Sequence, residues 1–197
     1  MKLNWIERSF VNSPIRLIMQ SLEMRWFCNK LPLNHADNVL EIGCGRGAGA
    51  GFILEKFKPA RLYLSDLDIK MVRRARNYLA GKSRATTHFC LGDAADLPFG
   101  SQIFDAVFGF GFLHHVPRWP SGLAEIVRIL KPGGAYYLVE FYPQLYQNMI
   151  TKHLLVHPEF DRFKSNDLKA AFKELNLSLA HSIEFKNMGI IGIGIKS

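Results

Sequence analysis

A glycine loop flanked by an acid holds the residues of this sequence best suited to chemistry. In Glu41-Ile42-Gly43-Cys44-Gly45-Arg46-Gly47, the glycines let the backbone turn sharply and let a ligand approach with no Cβ in the way. Backbone N–H groups exposed where such a loop opens a helix favour a polar or anionic ligand group. Gly43, Gly45 and Ala48 also satisfy the dinucleotide spacing G-x-G-x-x-G/A. The alternative is a tight strand-to-helix turn that binds nothing. Asp66 comes 19 residues after Gly47, at the end of a second apolar run. An acid there accepts hydrogen bonds from the two hydroxyls of a ribose. Asp68 is better placed to cap the following helix, which leaves Asp66 to the ligand. Glu41 suits a cationic group and would repel a pyrophosphate, whereas Arg46 favours an anion.

Histidines form a second set. His114 and His115 follow a fourth apolar run, at the carboxyl edge where open α/β sheets bind ligands. His115 is the candidate to orient an acceptor or take its proton; the alternative is a loop histidine bonded to backbone. His153 and His157 would share a helix face, but a metal needs a further ligand, and Pro158 ends that helix. Surface histidines fit better, and no metal is expected. Lys70, Arg73, Arg74, Arg76, Lys82 and Arg84 run with no acid between them. A solvated helix face is the favoured reading. No RNA-binding motif accompanies the run, so nucleic acid is not expected, while contact with an anionic membrane surface stays open.

These residues need elements to place them. From Asn38 onward short apolar runs alternate with amphipathic stretches, as in parallel βα units. Strands are expected at 38–41, 61–65, 85–90, 104–109 and 135–141. Helices are expected from the glycine loop to Phe57, from an Asp68 cap to Leu79, and over 121–130, where Lys131-Pro132-Gly133-Gly134 would stop the last. Ser165 could cap a helix through Leu175. Strands at 177–185 and 189–196 would then close the chain as a hairpin and make that end of the sheet mixed. Before Asn38, Ser13-Pro14 starts a helix with Ile15, Ile18, Met19, Leu22 and Trp26 on one face.

Six blocks in order, Glu41–Gly47, Asp66–Met71, Gly92-Asp93-Ala94-Ala95-Asp96-Leu97-Pro98-Phe99, Phe104–Val107, Leu113-His114-His115-Val116 and Leu130–Gly134, resemble the class I S-adenosylmethionine-dependent methyltransferases. The likeness is strongest to the small "type 11" group that resembles the quinone-biosynthesis methyltransferases. It implies an α/β fold: a Rossmann-like, seven-stranded, mostly parallel sheet with a terminal antiparallel hairpin and an N-terminal helical cap. The cap or lid would be residues 1–36 and the S-adenosylmethionine-binding domain 37–197. The likeness also implies site roles. Gly43, Cys44 and Gly45 would lie against the methionine part, with Glu41 near its amino group. Asp66 would bind the ribose and Leu67 flank the adenine. Asp93 would accept from the adenine amino group, with Ala94 donating from its backbone. Gly109 and Phe110 would meet the methionine end through backbone groups. Small polar residues are usual where this chain has Gly109-Phe110-Gly111-Phe112.

The implied function is methyl transfer to a small, apolar acceptor. Trp5, Phe10, Trp26 and Phe27 make the N-terminal segment apolar, which fits a lid over the acceptor pocket, a membrane-surface helix or ordinary packing onto the sheet; as a lid it would line the pocket together with Tyr142 and Tyr146. Two rivals remain: a nicotinamide-nucleotide oxidoreductase, and a non-catalytic cofactor-binding module acting through a partner. Composition fits either, with 197 residues, 48% apolar, 21% charged and a net charge of +8, which is globular and not disordered. Cys28, Cys44 and Cys90 are odd in number and far apart, which excludes a disulfide framework and a cysteine zinc site and suits a reducing cytoplasm. No signal-like run opens the chain, and nowhere do eighteen apolar residues run together. Nothing in the sequence sets an oligomeric state.

Overall fold

The computed structural model describes residues 13–33, 37–81, 86–146 and 162–197. His153, His157, Trp5, Phe10, Lys82, Arg84 and Ala85 lie outside them. Helix α1 (Pro14–Lys30) begins as its sequence demands: Ser13 Oγ accepts the Arg16 N–H at 3.2 Å, and Pro14 occupies the first turn. Strand β1 (Asn38–Ile42), helix α2 (Ala48–Lys56), strand β2 (Arg61–Asp66), helix α3 (Ile69–Leu79) and strand β3 (Thr86–Leu91) follow as βα units. Strand β4 (Phe104–Phe110), helix α4 (Trp119–Ile129) and strand β5 (Leu130–Phe141) form the second half. The short helix α5 (Pro143–Tyr146) precedes α6 (Ser165–Glu174) and the hairpin of β6 (Leu177–Phe185) and β7 (Gly189–Lys196).

The seven strands lie in the order β3-β2-β1-β4-β5-β7-β6. All pairs are parallel except β5–β7 and β6–β7. The chain reverses its direction of travel across the sheet between β1 and β4, where open α/β sheets form their ligand crevice. The expected hairpin is present, turning through Lys186 and Asn187 at φ 37° and 61°.

Three boundaries differ from expectation. Lys131–Gly134 does not merely stop a helix. The helix ends at Ile129, and β5 starts at Leu130, which pairs with Phe104 before an irregularity near Asp105 restores the ladder at Ala106–Ala135. Helix α4 begins earlier, at Trp119, because Pro120 fits a first turn that leaves its missing N–H unneeded. Ser165 is the first helical residue of α6 and not its cap; the Asp167 carboxylate accepts the Lys164 N–H at 2.9 Å.

Strand alternation divides the core between the two sheet faces. Leu40, Ile42, Val107, Tyr136 and Leu138 meet α4 and α6 through Leu123, Ile126, Leu168 and Phe172. Val39, Leu62, Leu64, Phe108, Tyr137 and Ile193 meet α1, α2 and α3 through Met24, Phe27, Ile53 and Ala75. On this second face Phe108 and Tyr137 stack at 4.4 Å, and Phe27 meets Tyr137 edge-on at 5.3 Å. Tyr137 Oη also donates to the Leu31 carbonyl at 2.8 Å, tying the end of α1 to β5.

The apolar face foreseen for α1 points away from this core. Ile15, Ile18 and Leu22 are 64%, 62% and 61% exposed, whereas Arg16 and Gln20 are buried with Met24 and Phe27.

Candidate active site

The loop between β1 and α2 takes its shape from its glycines. Gly43, Gly45 and Gly47 have φ of 69°, 52° and 89°, a region costly for other residues. A Cβ on Gly43 would come within 2.9 Å of Phe112 Cβ, and one on Gly47 within 3.1 Å of Ala75. Gly45 differs, since no protein atom lies within 4 Å of where its Cβ would be. Its side of the loop is open to a ligand. Gly43 and Cys44 donate to the Ser65 carbonyl at 2.9 and 3.1 Å, which moors the loop to the end of β2.

Asp66 completes the mooring. Its Oδ2 accepts the Gly45 N–H at 2.9 Å and its Oδ1 the Asp68 N–H at 2.8 Å. Asp68 caps α3 by accepting from Lys70 N–H at 2.9 Å, as the sequence suggested. Asp66 is therefore not idle: it ties loop to strand through the Gly45 and Asp68 N–H groups. Burial raises its pKa, and its backbone hydrogen bonds oppose that shift.

Glu41 lies beneath the loop, 2% exposed. Strand parity puts it on the α1–α2 face, beside Val39. Burial pushes its carboxyl well above the ordinary range; the Ala50 N–H and Arg16 favour its charged form, and Asp66 disfavours it. Its Oε2 is buried with no hydrogen-bond partner. Burial with the neighbouring carboxylates also pushes the Cys44 thiol up.

The other sequence-derived residues surround this centre unevenly. Leu67 is half exposed beyond β2. The Gly92 N–H donates to the Asp66 carbonyl at 3.1 Å, which brings the turn after β3 alongside. There Asp93 is exposed, and its Oδ1 accepts the Ala95 N–H at 2.9 Å; Ala94 is half-buried. Gly109 pairs with Ile42 across the β1–β4 ladder. A side chain at Gly109 would overlap Phe112 and approach Tyr136 Oη at 3.0 Å. Packing alone thus accounts for this glycine. Phe110 packs against Phe27 and Phe108 at 6.4 and 6.0 Å.

Beyond β4 a short 3₁₀ turn, Leu113–His115, carries the histidine pair. The geometry distinguishes them. His115 is half-buried, and its N–H donates to the Phe112 carbonyl at 2.9 Å. His114 is buried, and its Nδ1 meets Glu140 Oε2 at 2.8 Å. Glu140, on β5 and fully buried, also accepts from Leu113 N–H at 2.9 Å, Phe112 N–H at 3.3 Å and His114 N–H at 3.4 Å. One carboxylate therefore holds both the turn and the imidazole. A carboxylate acceptor sets the Nδ1–H tautomer, which leaves the basic lone pair on Nε2.

Sequence reasoning missed Glu140, Arg16 and Gln20. Signals existed: an acid inside the apolar run Tyr136–Phe141, and two polar residues four apart opposite the apolar face of a helix. Among the described residues no three His, Cys, Asp or Glu side chains gather as a metal site, and no helix is long and apolar enough to cross a membrane. The described part of the basic run, Lys70, Arg73, Arg74 and Arg76, is exposed on α3.

Residues 39–134 match the family model described as "Methyltransferase domain". The fatty-acid O-methyltransferase of Mycolicibacterium smegmatis is 39% identical over 109 residues, 54% of this chain and 38% of that protein. Phthiotriol/phenolphthiotriol dimycocerosates methyltransferase 1 of Mycobacterium ulcerans is 34% identical over 149 residues, 74% of this chain and 50% of that one. The chain thus spans half or less of the length of these two relatives. Among solved structures, a SAM-dependent methyltransferase from Aquifex aeolicus shares the fold at a TM-score of 0.74, with 14% identity over 98% of this chain and 97% of that one.

Proposed function

We propose, on the premise that the chain belongs to the class I methyltransferases, that it transfers a methyl group from S-adenosylmethionine to an oxygen of an apolar, lipid-like acceptor. The observation that carries the donor half is Glu41, a buried carboxylate beneath the glycine loop with one oxygen unpartnered. An acid there attracts a cationic ligand and repels a pyrophosphate. The donor's ammonium and sulfonium groups suit it, and the open side of Gly45 beside the Asp66 carboxylate suits a ribose.

When bound, S-adenosylmethionine supplies a methyl group activated by its positive sulfur. The chain's residues do the rest. Asp66 accepts from the ribose hydroxyls while the Gly45 N–H fixes its orientation. Leu67 and the Asp93–Ala94 turn flank the adenine side. The Gly109–Phe110 backbone borders the methionine end. On the acceptor side His114, oriented by Glu140, takes the proton of a hydroxyl or carboxyl group at Nε2. The carboxylate then stabilises the imidazolium formed. The lipid-like acceptor is supported by the relatives that act on fatty acids and on phthiotriol lipids.

The test is calorimetric titration with S-adenosylmethionine, S-adenosylhomocysteine and a reduced nicotinamide dinucleotide, followed by turnover of long-chain fatty acids. Micromolar binding of the first two, lost in Asp66→Ala, is expected. Saturable binding of the dinucleotide and of neither adenosyl compound would overturn the proposal.

A further inference from the structure

Helix α1 lies outside the matched 39–134 segment, and its amphipathicity is inverted. A helix that merely covers a core turns its isoleucines inward. This one leaves Ile15, Ile18 and Leu22 more than half exposed, with Met19 beside them, and buries Arg16 and Gln20. The spacing of the four apolar residues sets them on one stripe. The buried side holds an ion pair, Arg16 Nη1 to Glu23 at 2.9 Å. Such a pair adds little over an apolar contact of the same volume. Turning the helix about its axis would bury the isoleucines and give the charges to water. Internal stability thus favours the opposite facing. The observed one suits a helix whose outer side meets an apolar medium.

Charge narrows what that medium is. Helices α1, α2 and α3 cover one face of the sheet, through Met24 and Phe27, Ala50 and Ile53, and Ala75 and Leu79. Together they carry eight Lys and Arg residues and two acids, Glu23 and Glu55. Those acids already pair with Arg16 and Lys56. On α3, Lys70, Arg73, Arg74 and Arg76 are exposed, and the helix holds no acid. On α1 the apolar stripe runs into the exposed Arg25, one turn past Leu22. The opposite face is balanced: α4 and α6 carry three cations and three acids.

An apolar stripe beside an excess of cations matches a bilayer surface that contains anionic lipid. A nucleic acid would use the cations and leave the stripe in water. We propose that the α1–α3 face docks on an anionic membrane surface, with Ile15, Ile18 and Leu22 entering the headgroup layer and the α3 cations meeting lipid phosphates. The stripe borders the site. Gln20, between Ile18 and Leu22, puts its Nε2 within 2.8 Å of where a Gly49 Cβ would be, and Phe110 Cε2 lies within 2.9 Å of the same point. Gly49 is in the first turn of α2 and Phe110 ends β4, so docking brings the carboxyl edge of the sheet to the bilayer. The proposal goes beyond methyl transfer and does not require it.

The test is co-sedimentation of the protein, without donor or acceptor, with vesicles of phosphatidylcholine alone and of equal parts phosphatidylcholine and phosphatidylglycerol. Binding to the mixed vesicles is expected, and binding to the neutral ones about tenfold or more weaker. Ile18→Ser with Leu22→Ser is expected to weaken binding to mixed vesicles about 10- to 100-fold, the range for losing two aliphatic side chains from an apolar layer. Arg73→Gln with Arg74→Gln is expected to weaken it about tenfold. All four side chains are exposed, and thermal unfolding checks that each variant is folded. Ile15→Ser with Met19→Ser serves if the first pair does not fold.

Failure to bind mixed vesicles would overturn the proposal, as would equal binding to neutral ones. So would binding that survives the α1 substitutions and falls only with those on α3, the pattern of a polyanion site that single-stranded RNA would also fill. Self-association that the α1 substitutions abolish, in a protein that ignores vesicles, would assign the stripe to a second copy instead. Each of these results leaves the methyl-transfer reading standing.

Discussion

Glu140 shows how much one residue can organise. It accepts from the backbone of Phe112, Leu113 and His114 and from the His114 ring. The contacts from Leu113 and from the backbone and ring of His114 are buried, so removing the carboxylate leaves several buried donors unpaired at once. Glu140→Ala is expected to lower stability by about 3 kcal/mol or more, read from urea unfolding. Glu140→Gln keeps an acceptor oxygen and should recover most of that loss. On the proposed function the imidazole has the separate role of taking a proton. His114→Gln is expected to lower turnover of a fatty-acid acceptor by about 10² to 10⁴-fold, with S-adenosylhomocysteine affinity unchanged. His115→Gln should cost less, because the Glu140 carboxylate orients the His114 ring.

At the scale of elements the strand-to-helix loop is the critical part. Gly47 caps α2 at φ 89° while α3 presses on it through Ala75. An alanine there meets an unfavourable backbone region and a close contact together. Gly47→Ala is expected to destabilise the protein by about 1–3 kcal/mol and to weaken donor binding, measured by thermal unfolding with and without S-adenosylhomocysteine. Glycine spacing and the acid after β2 were legible in the sequence because such turns leave few other residue choices. Most strands were legible because their apolar runs are short and bounded. The start of β5 was not: Lys131-Pro132-Gly133-Gly134 has stop-signal composition, yet Leu130 pairs with Phe104 before it. The facing of α1 was hidden as well. Periodicity reports that a helix has two faces, and a buried charged face looks like a solvated one until its partners are known. Glu140 was hidden because a lone acid in an apolar strand acquires meaning only when the 3₁₀ turn folds over it.

For the whole molecule, two buried acids beneath and beside the glycine loop make stability depend on pH. Burial raises Glu41 above its ordinary 4.5 and Asp66 above its ordinary 3.8. Between the unfolded and folded pKa values the native state holds more protons than the unfolded chain. These two groups therefore lower stability as pH rises from the ordinary carboxylate range through their folded values. Their stabilising effect is complete only at the acid end. Glu41→Gln removes one of them. The variant is expected to gain on the parent in urea midpoint as pH rises through that window, then to keep a constant lead. Adding S-adenosylhomocysteine should reverse the order, because its ammonium gives the ionised Glu41 a partner. A lead that stays flat from pH 4.5 to 8 would show that Glu41 ionises as it does in water.

The ladder between β1 and β4 has a further bearing on how such a protein can change. Its four paired positions, from Val39–Ala106 to Ile42–Gly109, set the glycine loop and the histidine turn on neighbouring rails. Phe112 touches both, lying over Gly43 and Gly109. On the proposed function, the gap between methyl source and methyl recipient would be gauged by hydrogen-bond register and one aromatic shim. Substitutions that keep this register and Phe112 would then keep the same reaction distance.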